Sequence, residues 1–235
     1  MLAENFQEPR DAVSVVLVDP DTEVYFQKVG GRDLRADWTD TARENLRQAV
    51  AAHLEASGET VVDFETLQIG ADDLEQLQAM NLQVTSAIGS HRLELGNVPF
   101  LGALPHKDGR LKDLAYSLGD TVDPIRAARP DADYAVFTTH RSTIESAGSF
   151  LTKVAIGTVT GFVPAASSFR GTLVNLVDLD TGEVVWVNGQ VQGTGGDVRE
   201  AQKATNVIAD IMDESPLTPA GAAAAATAAN ANTGP

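Results

Sequence analysis

Two apolar runs, residues 173–179 and 184–191, stand on either side of Asp180-Thr181-Gly182. Both are rich in β-branched residues, and a short Asp/Gly connection between such runs predicts an antiparallel hairpin near the C-terminus. Residues 13–18 predict a buried strand that Asp19-Pro20-Asp21 ends, since proline removes a ladder donor and the acids favour a turn. A second extended piece follows at 22–27, and Gly30-Gly31 ends it. Shorter apolar runs at 61–64 and 134–138 predict further strands.

The period then changes. From about residue 40 to 57, Ala42, Leu46, Ala49, Val50 and Leu54 recur every three or four positions while Arg43, Glu44, Arg47 and Glu55 fall between them, which predicts an amphipathic helix. Thr41 and Glu44 have capping-box spacing, with Thr39 as an alternative cap. A helical crossover between 13–18 and 61–64 requires those strands to be parallel, with a right-handed connection. A second helix is expected over 72–93, with Leu74, Leu77, Met80, Val84, Ala87, Ile88 and His91 on one stripe. Residues 94–119 are Gly- and Pro-rich and predict an ordered excursion. A short helix over 121–128 carries Pro124 in its first turn, and a last helix, capped by Asp197 and running to about residue 213, turns Ala201, Ala204, Val207, Ile208 and Ile211 inward.

These elements predict an α/β fold: a central mixed β-sheet of about five strands (13–18, 61–64, 134–138, 173–179, 184–191) flanked by helices, with the antiparallel hairpin near the C-terminus. Residues 1–11 are expected to form a flexible arm, 12–214 a single α/β domain, and 215–235 a disordered Ala-rich tail, because residues 222–226 are all alanine and offer almost no apolar bulk to dock.

The order of elements, together with Val15-Val-Leu-Val-Asp-Pro-Asp-Thr-Glu-Val-Tyr25, Ala36-Asp-Trp-Thr39, Ala132-Asp-Tyr-Ala-Val-Phe137 and the stretch from Val177 to Trp186, resembles a proteobacterial periplasmic lipoprotein-like family of unassigned function. That family is related in fold to the periplasmic domain of the curli secretion channel, the amino-terminal domain of the Tol β-propeller protein and the lipoproteins that activate peptidoglycan synthases. The resemblance implies a periplasmic protein, attached to the outer membrane in its lipidated relatives, whose partner is an envelope protein or outer-membrane component. It also implies homo-oligomerisation as an alternative. The chain has no cysteine, and residues 1–10 lack the basic start and apolar core of a signal peptide, so membrane association is expected only through a lipid anchor absent from this form.

Composition narrows the chemistry. With 33 acids against 17 basic residues the formal charge is -16, and Arg126, Arg129 and Arg141 are scattered, so no nucleic-acid partner is expected. Without cysteine, thiolate metal sites and cysteine nucleophiles are excluded. Histidines 53, 91, 106 and 140 lie too far apart for a spaced ligand set, so no metal site is expected. His140 is the best candidate base, with Asp178 or Glu145 as its orienting acid at a sheet end, but Gly148-Ser149-Phe150 does not have nucleophile-elbow spacing. Gly193-Thr-Gly-Gly196 lacks the P-loop lysine and reads as a hinge, so no cofactor is expected. Asp19, Asp21 and Glu23 lack the EF-hand pattern and read as a solvated turn.

Residues 150–164 carry Lys153 as their only charge and are too few to span a bilayer as a helix. Phe150, Leu151, Val154, Val159 and Phe162 form the candidate interface, against the plainer alternative of a helix buried in the core. The resemblance implies a non-enzymatic cell-envelope accessory protein that binds or helps assemble another envelope component, by its sheet edge or by the 150–164 surface. A subunit of an outer-membrane or secretion assembly is the alternative, and a small hydrolase using His140 ranks third.

Overall fold

The computed structural model describes residues 12–29, 31–91, 116–146, 169–192, 196–213 and 215–217. Along the chain run β1 (Ser14–Leu17), β2 (Asp21–Lys28), β3 (Gly31–Leu34), α1 (Ala36–Ala56), β4 (Thr60–Asp63), α2 (Ala71–His91), α3 (Asp123–Ala128), β5 (Tyr134–Glu145), β6 (Phe169–Asp178), β7 (Val184–Gln192) and α4 (Ala201–Met212). Single 3-10 turns, Phe64–Leu67 and Gly119–Val122, precede α2 and α3. The strands form one mixed sheet of seven, two more than the five expected.

β5 is its spine. On one side of it β1 and β2 lie end to end, both parallel to it, with Leu17 opposite Val136 and Asp21 opposite Thr139. The chain advances four positions there while β5 advances three, so the break between β1 and β2 takes up one extra residue. Proline is tolerated at such a site because the ladder asks no donor of it. The expected break at Asp19-Pro20-Asp21 is there: it separates β1 from β2, which lie along the same edge of β5. β4 flanks β1 in parallel, as the helical crossover requires, and β3 flanks β2 through a tight antiparallel turn. On the other side of β5 come β6 and then β7, both antiparallel. The β6–β7 turn is as expected: Asp178 Oδ1 accepts from the Thr181 N–H at 2.8 Å, and Gly182 adopts φ +72°. A Cβ at Gly182 would lie 2.8 Å from the Gly119 carbonyl oxygen, so glycine is required there twice over.

Alternation along the strands divides the core. One face turns Val15, Leu17, Val136, Val174, Leu176 and Trp186 against Leu46, Val50 and Leu54 of α1 and Val207, Ile208 and Ile211 of α4. The opposite face turns Val16, Val18, Phe137, Val177 and Val187 against Leu77 and Ile88 of α2 and Ile125 of α3. The predicted stripes of α1 and α4 are the buried ones, except that Ala201 is exposed and Met212 is buried instead. Leu217 also belongs to the first core, beyond the expected domain limit at 214. The expected arm at 1–11, most of the excursion at 94–119 and the alanine run at 222–226 lie outside the described residues.

The three proposed caps, Thr41, Thr39 and Asp197, fail for the same reason: each side chain has another partner. α1 begins at Ala36 with no side-chain cap; Thr39 Oγ1 accepts from the Val24 N–H at 3.0 Å and ties helix to sheet, while the Thr41 hydroxyl donates to the Asp37 carbonyl. α4 begins at Ala201, also without a side-chain cap, and Asp197 is drawn off into an ion pair with Arg199.

Candidate functional site

Three places hold chemistry that packing alone does not use. The first is a polar row on the α1/α4 face. Sheet register sets Thr22 of β2, His140 of β5, Thr172 of β6 and Gln190 of β7 side by side. Residues paired across strands share a face, so four polar side chains cross the sheet together. His140 is 1% exposed, and its Nδ1 lies 2.8 Å from Thr172 Oγ1. His140 Nε2, Thr22 Oγ1 and Gln190 Oε1 are buried without a partner, as is Thr138 Oγ1 one step along the same face of β5. Burial, with Arg141 and Arg170 nearby, pushes the His140 imidazole down to about 3, so it is neutral at ordinary pH.

This placement bears on the third-ranked reading, a hydrolase with His140 as its base. His140 is not at a strand end, since β5 continues to Glu145. Asp178 pairs with Tyr134, at the far end of β5, and the imidazole is held by Thr172 rather than by Asp178 or Glu145. The ring is oriented by a hydroxyl, is closed to solvent and resists protonation. A general base needs reach to the proton it takes and a pKa near the working pH.

The second place is the corner where β2, β3 and α1 meet. Trp38 has the guanidinium of Arg35 at 4.4 Å and that of Arg199 at 4.2 Å from its ring centre, and Phe26 meets it edge-on. Arg32 lies over the Tyr25 ring at 4.5 Å. Two of these arginines are held in turn: Arg35 by Asp37 at 2.9 Å and Arg199 by Asp197 at 2.5 Å. Hydrogen bonding to Arg199 keeps the Asp197 carboxyl below its ordinary range. β3 at this corner is exposed at all four residues, and Val29 and Leu34, 67% and 53% exposed, are the large apolar side chains most open to solvent among the described residues.

The third place is an acidic cleft of about 620 Å³ between the start of α2 and the segment leading into α3, lined by Asp73, Met80, Leu118, Asp120, Asp123 and Pro124. Asp123 is already paired with Arg126 at 2.8 Å.

Asp19, Asp21 and Glu23 do not form a solvated turn: Asp21 and Glu23 share Arg141, at 2.6 and 3.1 Å, and Asp19 faces Arg43 at 3.7 Å. His53 is half-buried in α1, where burial lowers its pKa. Among the described residues no cluster of three or more potential metal ligands occurs, and no helix is long and apolar enough to cross a membrane. The candidate interface residues Phe150, Leu151, Val154, Val159 and Phe162 lie outside the described residues, as do His106 and residues 193–195. Sequence reasoning missed β3 and Arg32, because a strand exposed on both faces has no alternation to reveal it; the two residues between β2 and β3 are the signal that could have found it.

No family model matches the sequence, and no curated protein matches it. Among solved structures, the lipoprotein GNA1162 from Neisseria meningitidis aligns with 12% identity and a TM-score of 0.31, covering 79% of this chain and 83% of that one. A dodecamer of a PelC variant from Paraburkholderia phytofirmans aligns with 13% identity and a TM-score of 0.33, covering 91% and 96%. The C-terminal domain of LpoB from Salmonella enterica aligns with 16% identity and a TM-score of 0.29, covering 82% and 88%. At these scores the likenesses decide nothing about what this chain does.

Proposed function

We propose that this is a non-enzymatic cell-envelope accessory protein, periplasmic or outer-membrane-associated, that binds or helps assemble another envelope component through its sheet edge. The envelope assignment rests on the resemblance carried by residues 15–25, 36–39, 132–137 and 177–186. One observation carries the binding mode: β3 ends the sheet with every residue exposed and with Val29 and Leu34 in solvent beside it. An exposed strand edge offers unpaired backbone groups with which an extended segment of another chain can pair.

The test is made in the cell of origin. A photocrosslinking residue at position 29, exposed beside β3, should capture one envelope protein from the periplasmic or membrane fraction, and the same residue at Gln202, on the exposed side of α4, should capture none. Residence in the cytosolic fraction, or equal capture from both positions, would retire the reading.

A further inference from the structure

We propose that β3 is the docking strand for an extended segment of a partner protein, and that the partner supplies a carboxylate to Arg32 and an apolar side chain to Leu34. This deepens the accessory-binding reading and rests on it. Three observations converge here.

The first is backbone register. Arg35 N–H donates to the Val24 carbonyl at 2.9 Å, which makes Val24 and Arg35 a hydrogen-bonded pair of the β2–β3 ribbon. Antiparallel pairs alternate, so Phe26/Asp33 and Lys28/Gly31 are hydrogen-bonded pairs, whereas Tyr25/Leu34 and Gln27/Arg32 are not. The N–H and C=O groups of Arg32 and Leu34 therefore point away from β2. They form a ready-made half-ladder two residues apart.

The second is charge. Among the described residues, Arg35, Arg43, Arg47, Arg126, Arg129, Arg141, Arg170 and Arg199 each have a carboxylate within ion-pair distance. Arg32 has none there; its guanidinium rests on Tyr25. In a chain with 33 acids to 17 basic residues, an arginine left without a carboxylate on an open edge is set to receive one from outside.

The third is side-chain placement. Arg32 and Leu34 lie two apart on one strand, so both project on the face that carries Tyr25. An antiparallel guest strand would place one residue opposite Leu34 and the residue two further along opposite Arg32. Its recognition pattern, read from its N-terminus, is apolar, any residue, acidic. Cross-strand pairs of matching polarity and opposite charge favour that register.

The probe is the capped peptide Thr-Val-Leu-Thr-Glu-Thr-Val, titrated into the full isotope-labelled chain and followed by amide NMR, with a control peptide carrying lysine in place of glutamate. The glutamate peptide should shift the Arg32 and Leu34 amides and slow their hydrogen exchange, and it should bind about tenfold more tightly than the control. Arg32→Glu, an exposed substitution whose fold circular dichroism checks, should reverse the preference. Unmoved Arg32 and Leu34 amides at millimolar peptide, or equal binding of the two peptides, would overturn the proposal. Crosslinking of an envelope protein from other surface positions but never from position 29, beside β3, would sink the β3 site and leave the accessory reading standing; peptide binding at β3 in a protein that fractionates with the cytosol would do the opposite.

Discussion

On the α2 face of the sheet, Asn175 of β6 donates to Asn81 Oδ1 at 2.8 Å, and the Thr85 hydroxyl lies 3.3 Å from the same oxygen, so three buried polar residues form a connected network. On the α1/α4 face of the same sheet, Thr22, Thr138 and His140 each keep a buried polar atom without a partner, against Thr139 Oγ1 on the α2 face. The contrast teaches where polarity in this core adds stability. A linked network holds α2 in one position on the sheet, because any slide of the helix would strand its amides. The His140 row has one hydrogen bond between two strands and bears the desolvation cost of the rest.

The largest test of that difference uses acid. His140 has a folded pKa near 3 against an ordinary value of 6.5. Above pH 6.5 neither state gains a proton; below it the unfolded chain binds one that the folded chain refuses. Stability should therefore fall as pH drops from 6.5 toward 3, by on the order of 5 kcal/mol at the limit for this residue. His140→Leu should flatten the slope of urea-unfolding free energy between pH 6.5 and 4.5, before most carboxylates titrate. His53, also lowered by burial, adds a loss of the same sign to both proteins, so the difference between them is the measurement. Equal slopes would mean that solvent reaches the imidazole and that the row is not closed.

A smaller effect asks whether the apolar part of the same face is well packed. Leu217 is 6% exposed within that core, and Leu217→Ala should cost about 2–3 kcal/mol in urea denaturation. A neutral outcome would describe a loosely covered face, through which water could satisfy His140. On the other face, Asn81→Leu should cost about 1–2 kcal/mol by leaving Asn175 without its acceptor. Smallest are Thr22→Val and Thr138→Val, which remove hydroxyls with no partner and should change stability by less than about 0.5 kcal/mol or raise it. A loss above about 1 kcal/mol in either would reveal a bound water and erase the contrast between the faces.

The helices and the hairpin were legible from local pattern. Ala42, Leu46, Val50 and Leu54, and Val207, Ile208 and Ile211, recur at helical spacing because each helix buries one stripe, and the structure buries those side chains. Asp178 to Gly182 carries its turn chemistry within one short stretch. The parallel pairing of β1 and β4 followed from the length of the helix between them. The polar row was not legible in this way. His140 and Thr172 are 32 residues apart in sequence, Thr22 is more distant still, and only strand register brings them into line with Gln190. His140 reads as a base only if it closes a strand beside Asp178 or Glu145; the continuation of β5, burial and the hydroxyl of Thr172 place it otherwise.

What the sequence by itself determined is what its local periodicities and composition encode: an α/β protein, which helix faces turn inward, where one hairpin turns, and an acid excess that opposes binding to a polyanion. Tertiary structure alone decided that the strands on either side of Pro20 share one edge of β5, that Thr39 and Asp197 serve other partners than the helix ends they stand beside, that Arg32 has no carboxylate at ion-pair distance among the described residues, and that β3 exists as an open edge. Each depends on strand register or on a contact that no periodicity records. A pattern of period two or 3.6 shows which side of an element is buried, but not which neighbour it meets.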